Sequence, residues 1–186
     1  MLNFKSTRER KLWLWLLATL FAIFTTLGFA GSLAREMEES FLGVGLFITC
    51  CVLVLVMVIT SGLSRRPGKV EVGLALGIAA VYIMIFVRMR SPVERSHLFE
   101  YGVVSLLLHE ALKERKSKGA KIPVPAITAI VIATLIGVID ECVQAFIPRR
   151  VFDPIDMFFN AFAAFMAVTG SELLSWARRR FGRSGY

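Results

Sequence analysis

Long uncharged apolar stretches alternate with short charged ones along this chain, and each long stretch has the length that a bilayer demands. Residues 12–33 and 41–63 carry no charged side chain, and residues 70–87 are apolar apart from Glu71. A hydrocarbon core takes roughly 20 apolar residues of helix, so each stretch predicts one membrane span. Trp13 and Trp15 stand near the start of the first, where interfacial aromatics belong. A cleavable signal peptide is the alternative for that stretch, with Ser32 and Ala34 at a small-residue cleavage site, but the apolar run exceeds the usual signal core. Gly73 and Gly77 in the third span have the spacing that lets membrane helices approach closely.

The second half is less regular and more informative. Ser91-Pro92-x-Glu94 has the form of a capping box with proline at the first helical position, so a helix starts near Pro92. Its first two turns are polar and only residues 103–108 are continuously apolar, which predicts a fourth span that is short or partly exposed. Residues 113–121 read as a basic loop. Residues 122–147 form the fifth span, ended by Pro148, and Asp153-Pro154 repeats the cap-then-proline signal for a sixth helix running to about Ala177. The expected fold is an all-α, polytopic transmembrane bundle of about six spans in one domain, residues 1–186.

Charge then orients the bundle. With both termini in the cytoplasm, the inner segments hold 16 of the 22 Lys and Arg residues and the outer ones hold nine of the 14 acids, as the positive-inside rule requires. A net charge of +8 raises nucleic acid as a partner, but the basic residues cap apolar segments instead of lining an aromatic-studded face, so nucleic acid is excluded. Three cysteines, two of them adjacent inside an apolar run, give no disulfide framework. No P-loop, nucleotide-binding glycine motif or serine elbow is present.

This topology gathers the outer ends of the fourth, fifth and sixth spans, and those ends hold nearly all the polar chemistry. Glu94, His97 and Tyr101 share a face of the fourth helix, with Glu100 beside His97; Asp140, Glu141 and Gln144 share one on the fifth; Asp156 and Asn160 lie one turn apart on the sixth. Below them Ala163, Ala164 and Ala167 continue a stripe of small residues. Ionisable groups are expensive inside a bilayer, ~2.5 to 3.5 kcal/mol each on insertion scales, so such a cluster marks a functional site. His97, Glu100 and Glu141 are the candidates for acid–base work; Tyr101, Asp140, Gln144, Arg150, Asp153, Asp156 and Asn160 are the candidates for binding. For Asp153 the simpler role is an N-cap, for Asp156 a favourable charge at a helix start, and for Arg149 and Arg150 an anchor at the interface. A metal held by His97, Glu100, Glu141 and Asp156 is chemically possible, but no HExxH or paired-histidine spacing supports one, so neither metal nor cofactor is expected. His109 and Glu110, at the cytoplasmic end of the fourth helix, read as interfacial.

The run His97-Leu-Phe-Glu-Tyr101, followed by Asp140-Glu141-x-x-Gln144, Arg150, Asp153, Asp156 and Asn160, resembles the VanZ-like family of small bacterial membrane proteins over about residues 94–168. Three positions depart from that family's pattern: Val93-Glu94 stands where an acidic-Lys pair often precedes the histidine, Arg149 replaces a common Gly, and Ala163 replaces another. The resemblance implies a multi-pass protein of the cytoplasmic membrane that acts at its outer face, in envelope physiology or lowered susceptibility to teicoplanin-type glycopeptides. The implied partners are membrane lipids and a lipid-linked wall precursor or lipoglycopeptide. A non-enzymatic role comes first. An intramembrane enzyme with a His/carboxylate site on a lipid-linked or phosphorylated substrate is the alternative, and requires His97 and Glu141 within direct or one-water reach. Transport comes last, because it needs polar groups continuing toward the midplane and the inner halves of the helices read as apolar.

Overall fold

The computed structural model describes residues 4–38, 68–88, 92–147 and 152–181, with the helical backbone alone for 26–38, 86–88 and 92–96. The predicted second span, residues 41–63, lies outside the described residues, as do Cys50, Cys51, Arg149 and Arg150. The described residues form five helices and no strand: α1 (Thr7–Glu38), α2 (Lys69–Arg88), α3 (Pro92–Ser117), α4 (Pro125–Gln144) and α5 (Pro154–Phe181). Two of them, α4 and α5, are long and apolar enough to cross a membrane. That is fewer than the six spans expected.

Local chemistry sets the helix ends. Ser6 caps α1, its hydroxyl accepting the Glu9 amide at 3.0 Å, while the Glu9 carboxylate accepts the Lys5 amide at 2.8 Å. Proline opens α3, α4 and α5. The start of α4 falls at Pro125 and not at Ile122, because a residue before proline avoids the α conformation and Val124 is accordingly extended, with φ −133° and ψ 93°. The loop expected over 113–121 shrinks in the same way. α3 continues to Ser117 and closes with Gly119 at φ +89°, where the Ala120 amide reaches the Arg115 carbonyl and the Gly119 amide the Lys116 carbonyl. Those two bonds form a Schellman motif, whose left-handed residue favours glycine.

α3 is the middle of the structure, packed against α1, α4 and α5, while α2 lies against α5. The expected short or partly exposed span is therefore a 26-residue helix, roughly 39 Å long, with Leu98, Tyr101, Val104, Leu108 and Ala111 buried. Its polar residues suit this position because they meet neighbouring helices instead of lipid. The main core joins Leu16 and Ile23 of α1 to Val104, Leu108 and Leu112 of α3, Ala129 and Ala133 of α4, and Ala164 and Val168 of α5.

From α2 to α5 successive helices run in opposite directions, and α1 runs parallel to α2. One end of the bundle collects the start of α1, the end of α3, the start of α2 and the end of α5, tied together by ion pairs. Arg8 meets Glu110 and Glu114 at 2.9 and 3.4 Å, Arg115 meets the buried Glu9 at 3.7 Å, and Arg178 meets the buried Glu71 at 3.6 Å. Glu71, the single charge in its apolar stretch, is thus one half of an interhelical pair.

α4 is built inside out relative to a helix of a water-soluble protein. Its buried face is Ala129, Ala133, Gly137, Asp140, Glu141 and Gln144, while Ile127, Val131, Leu135 and Ile139 are 50–60% exposed. Small residues bring α4 close to α5: a Cβ on Gly137 would stand 2.7 Å from the Asn160 Cβ. Gly73 and Gly77, which the sequence marks for close approach, meet nothing within 4 Å among the described residues. The close contact belongs to Gly137.

Candidate functional site

Three helix ends position the polar cluster. α3 brings His97 and Tyr101 from its first turns, α4 brings Asp140, Glu141 and Gln144 from its last, and α5 brings Asp156 and Asn160 from its first. The four-residue spacing from Ala133 to Gly137 and on to Glu141 keeps both carboxylates on the face that the small residues bury, so the close helix contact below carries the acids inward above it. His97, Tyr101, Asp140, Glu141, Gln144 and Asn160 are each at most 3% exposed.

His97 Nε2 stands 3.9 Å from Glu141 Oε1 and 3.8 Å from Asp156 Oδ2, so one imidazole nitrogen faces carboxylates from two other helices. Gln144 holds the α4 acids in place, its Nε2 donating to Glu141 Oε1 at 3.0 Å and, more weakly, to Asp140 Oδ2 at 3.4 Å. The other Glu141 oxygen accepts the Asp153 amide at 3.4 Å. One ligand atom each from His97, Asp140 and Glu141 lies within 4.8 Å of the other two. The Tyr101 ring leans on His97 with centroids 6.2 Å apart, and its buried hydroxyl lies beside Asp140. Asn160 lies across Gly137 with both polar atoms of its amide buried and without a hydrogen-bond partner among the described residues. These groups can exchange a proton across His97, or hold one small cation between nitrogen and oxygen donors.

The chain matches no family model, no curated protein and no solved structure.

Most of the residues singled out in the sequence do come together. Asp153 takes the simpler of its two roles, its carboxylate capping α5 by accepting the Ile155 amide at 2.8 Å, while its own amide touches Glu141. Glu100 is half-buried and falls outside the trio of close ligand atoms, where Asp140 takes the place it was given. Arg150 lies outside the described residues, and of Glu94 the backbone alone is described.

Two expectations about the inner half change. His109, read as interfacial, is 1% exposed and packed between helices, with Nε2 3.3 Å from Glu172 of α5. His97, Tyr101, Ser105 and His109 recur every fourth residue on the buried face of α3, so that face is not apolar below the outer cluster. The four-residue period was open to view in the sequence; the apolar residues between its members hid it. Asn160 and Gly137 form a pair that a sequence cannot announce, since it exists only where α4 crosses α5.

Proposed function

We propose that the chain is a six-span protein of the bacterial cytoplasmic membrane, with both termini in the cytoplasm, acting at the outer face in cell-envelope physiology as its VanZ-like motif implies. The observation that carries this is the convergence of His97, Glu141 and Asp156 from three helices, with the imidazole nitrogen 3.8 and 3.9 Å from the two carboxylates. Buried titratable groups from three separate elements are costly to assemble for stability alone, and the cost is understandable where they serve a site. A bilayer is the natural surrounding of α4, which turns large aliphatic residues outward and acids inward. The positive-inside count then puts the cluster at the outer leaflet.

The ligand class that suits this place is an amphiphile whose headgroup lies at the outer surface, either a lipid-linked wall precursor or a lipoglycopeptide. Deletion and overexpression in the native bacterium, with susceptibility to teicoplanin measured by broth dilution, test the proposal. Overexpression of the wild type lowers susceptibility, and His97→Ala and Glu141→Gln at equal membrane abundance do not. Unchanged susceptibility in every strain, together with a different envelope phenotype, refutes it.

The His97 to Glu141 distance favours a second reading, an enzyme that moves a proton between these two groups on a lipid-linked or phosphorylated substrate. Incubating the reconstituted protein with envelope lipids and following them by mass spectrometry decides between the two. A lipid product formed by wild type and lost in His97→Ala supports catalysis; an unchanged lipid profile excludes it.

A further inference from the structure

The geometry points to a divalent transition-metal site, of the zinc or manganese class, in the centre formed by His97, Asp140, Glu141 and Asp156. It rests on the site proposed above and names what that site holds. A first-row divalent ion keeps nitrogen and oxygen donors ~2.1 Å away, so two of its donors stand at most ~4.2 Å apart. His97 Nε2 lies 3.9 Å from Glu141 Oε1 and 3.8 Å from Asp156 Oδ2, inside that limit. A direct imidazole–carboxylate hydrogen bond would draw such a pair to about 3 Å. The same nitrogen keeps one intermediate spacing to acids of two different helices, which is what a shared central atom produces. The His97, Asp140 and Glu141 donors fall within 4.8 Å of one another, so bringing these three onto one ion asks for side-chain shifts of only about half an ångström, and Asp156 joins them through its 3.8 Å approach to His97.

A second, independent feature is Asn160. Its amide is fully buried, neither polar atom has a hydrogen-bond partner among the described residues, and it lies across Gly137, one turn below the acids on α4 and one turn from Asp156 on α5. Burying an unpartnered amide is costly, an expense that a ligand beside it offsets. The buried Tyr101 hydroxyl lies beside Asp140, one of the proposed ligands. Gln144 supplies the outer support that metal-binding carboxylates have, donating to both α4 acids. One imidazole with several carboxylates suits zinc or manganese better than magnesium or calcium, which favour all-oxygen shells. Asp140 and Glu141 are fully buried, so an ion held by them sits beneath the surface on which a headgroup lies.

The test uses the full chain purified in detergent, stripped with a chelator and titrated with zinc chloride against a competing fluorescent chelator. Bound metal is counted by mass spectrometry, and thermal unfolding is followed with and without zinc. The wild type binds one zinc per chain and melts at a higher temperature when zinc is present. His97→Ala and Glu141→Gln lose the stoichiometric ion, and Gln144→Ala binds roughly 10- to 100-fold more weakly. Should any of these variants fail to fold, the wild-type count and the wild-type melting shift decide alone. Absence of a stoichiometric ion in the wild type, an unchanged melting temperature with zinc, or equal affinity in a folded His97→Ala protein each overturns the assignment. A metal-free protein whose envelope phenotype still depends on His97 leaves the proposed function intact and removes only the ion.

Discussion

Replacing Gly137 by alanine puts one methyl group where α4 and α5 are closest. The new Cβ would stand 2.7 Å from the Asn160 Cβ and 3.1 Å from its amide nitrogen. Carbon atoms rest at about 3.5 to 4 Å, so the two helices must part by roughly 1 Å at this level. The Asn160 Cβ is fixed to the α5 backbone, so no rotamer change relieves the contact. Overpacking of this kind costs ~1 to 3 kcal/mol, against which the helix preference for Ala over Gly returns up to about 1 kcal/mol. After the full helix gain the net loss is up to about 2 kcal/mol, a fall of up to roughly 8 °C in melting temperature for a chain of this size. Gly102→Ala on α3 is the matched control, because its Cβ would meet only the Ala167 Cβ at an ordinary 3.9 Å and the substitution should be neutral or stabilising. Thermal unfolding of both variants in one detergent, read by tryptophan fluorescence, makes the comparison. A Gly137→Ala protein that melts with or above Gly102→Ala refutes the close crossing and, with it, the placement of the acids one turn higher.

Other consequences concern the inner end and the topology. Ser6→Ala removes both the cap of α1 and a 2.8 Å hydrogen bond to Glu114, and should cost ~1 kcal/mol in a denaturant titration; no change would deny α1 its anchored start. A double-mutant cycle on Glu71→Gln and Arg178→Ala should give a coupling on the order of 1 kcal/mol, modest because Arg178 is 40% exposed at its side chain, whereas additive effects would mean that the pair at 3.6 Å does not hold α2 to α5. In a background without native cysteines, a cysteine at Lys118 should react with an impermeant maleimide only from the cytoplasmic side, and one at Phe152 only from outside. Labelling of both from the same side would overturn the antiparallel order.

Proline and capping residues made much of the fold legible in advance. Pro92 and Pro154 open their helices where the motifs place them, because a ring that fixes φ acts locally. The start of α4 was misplaced by three residues, since Ile122-Pro123-Val124-Pro125 reads as apolar although its second proline holds Val124 extended. The candidate site was legible as a set of faces, because helical spacing fixes which residues of one element look the same way. Which acid stands nearest His97 was not, because that depends on how far α4 is rotated and how deeply Gly137 lets it settle on α5. The central position of α3 was hidden for a related reason: hydropathy counts its charges without knowing that neighbouring helices surround them.

The division of α4 into a small, polar inner edge and a bulky outer one means that its outward residues are a coat and not a frame. Ile127, Val131, Leu135 and Ile139 touch the surroundings, whereas the contacts that locate Asp140 and Glu141 run through Ala129, Ala133 and Gly137. Repainting that coat with lysine and glutamate would change the solvent the protein accepts while leaving the arrangement of its centre as it is, which opens a route to a water-compatible version for crystallography and metal spectroscopy.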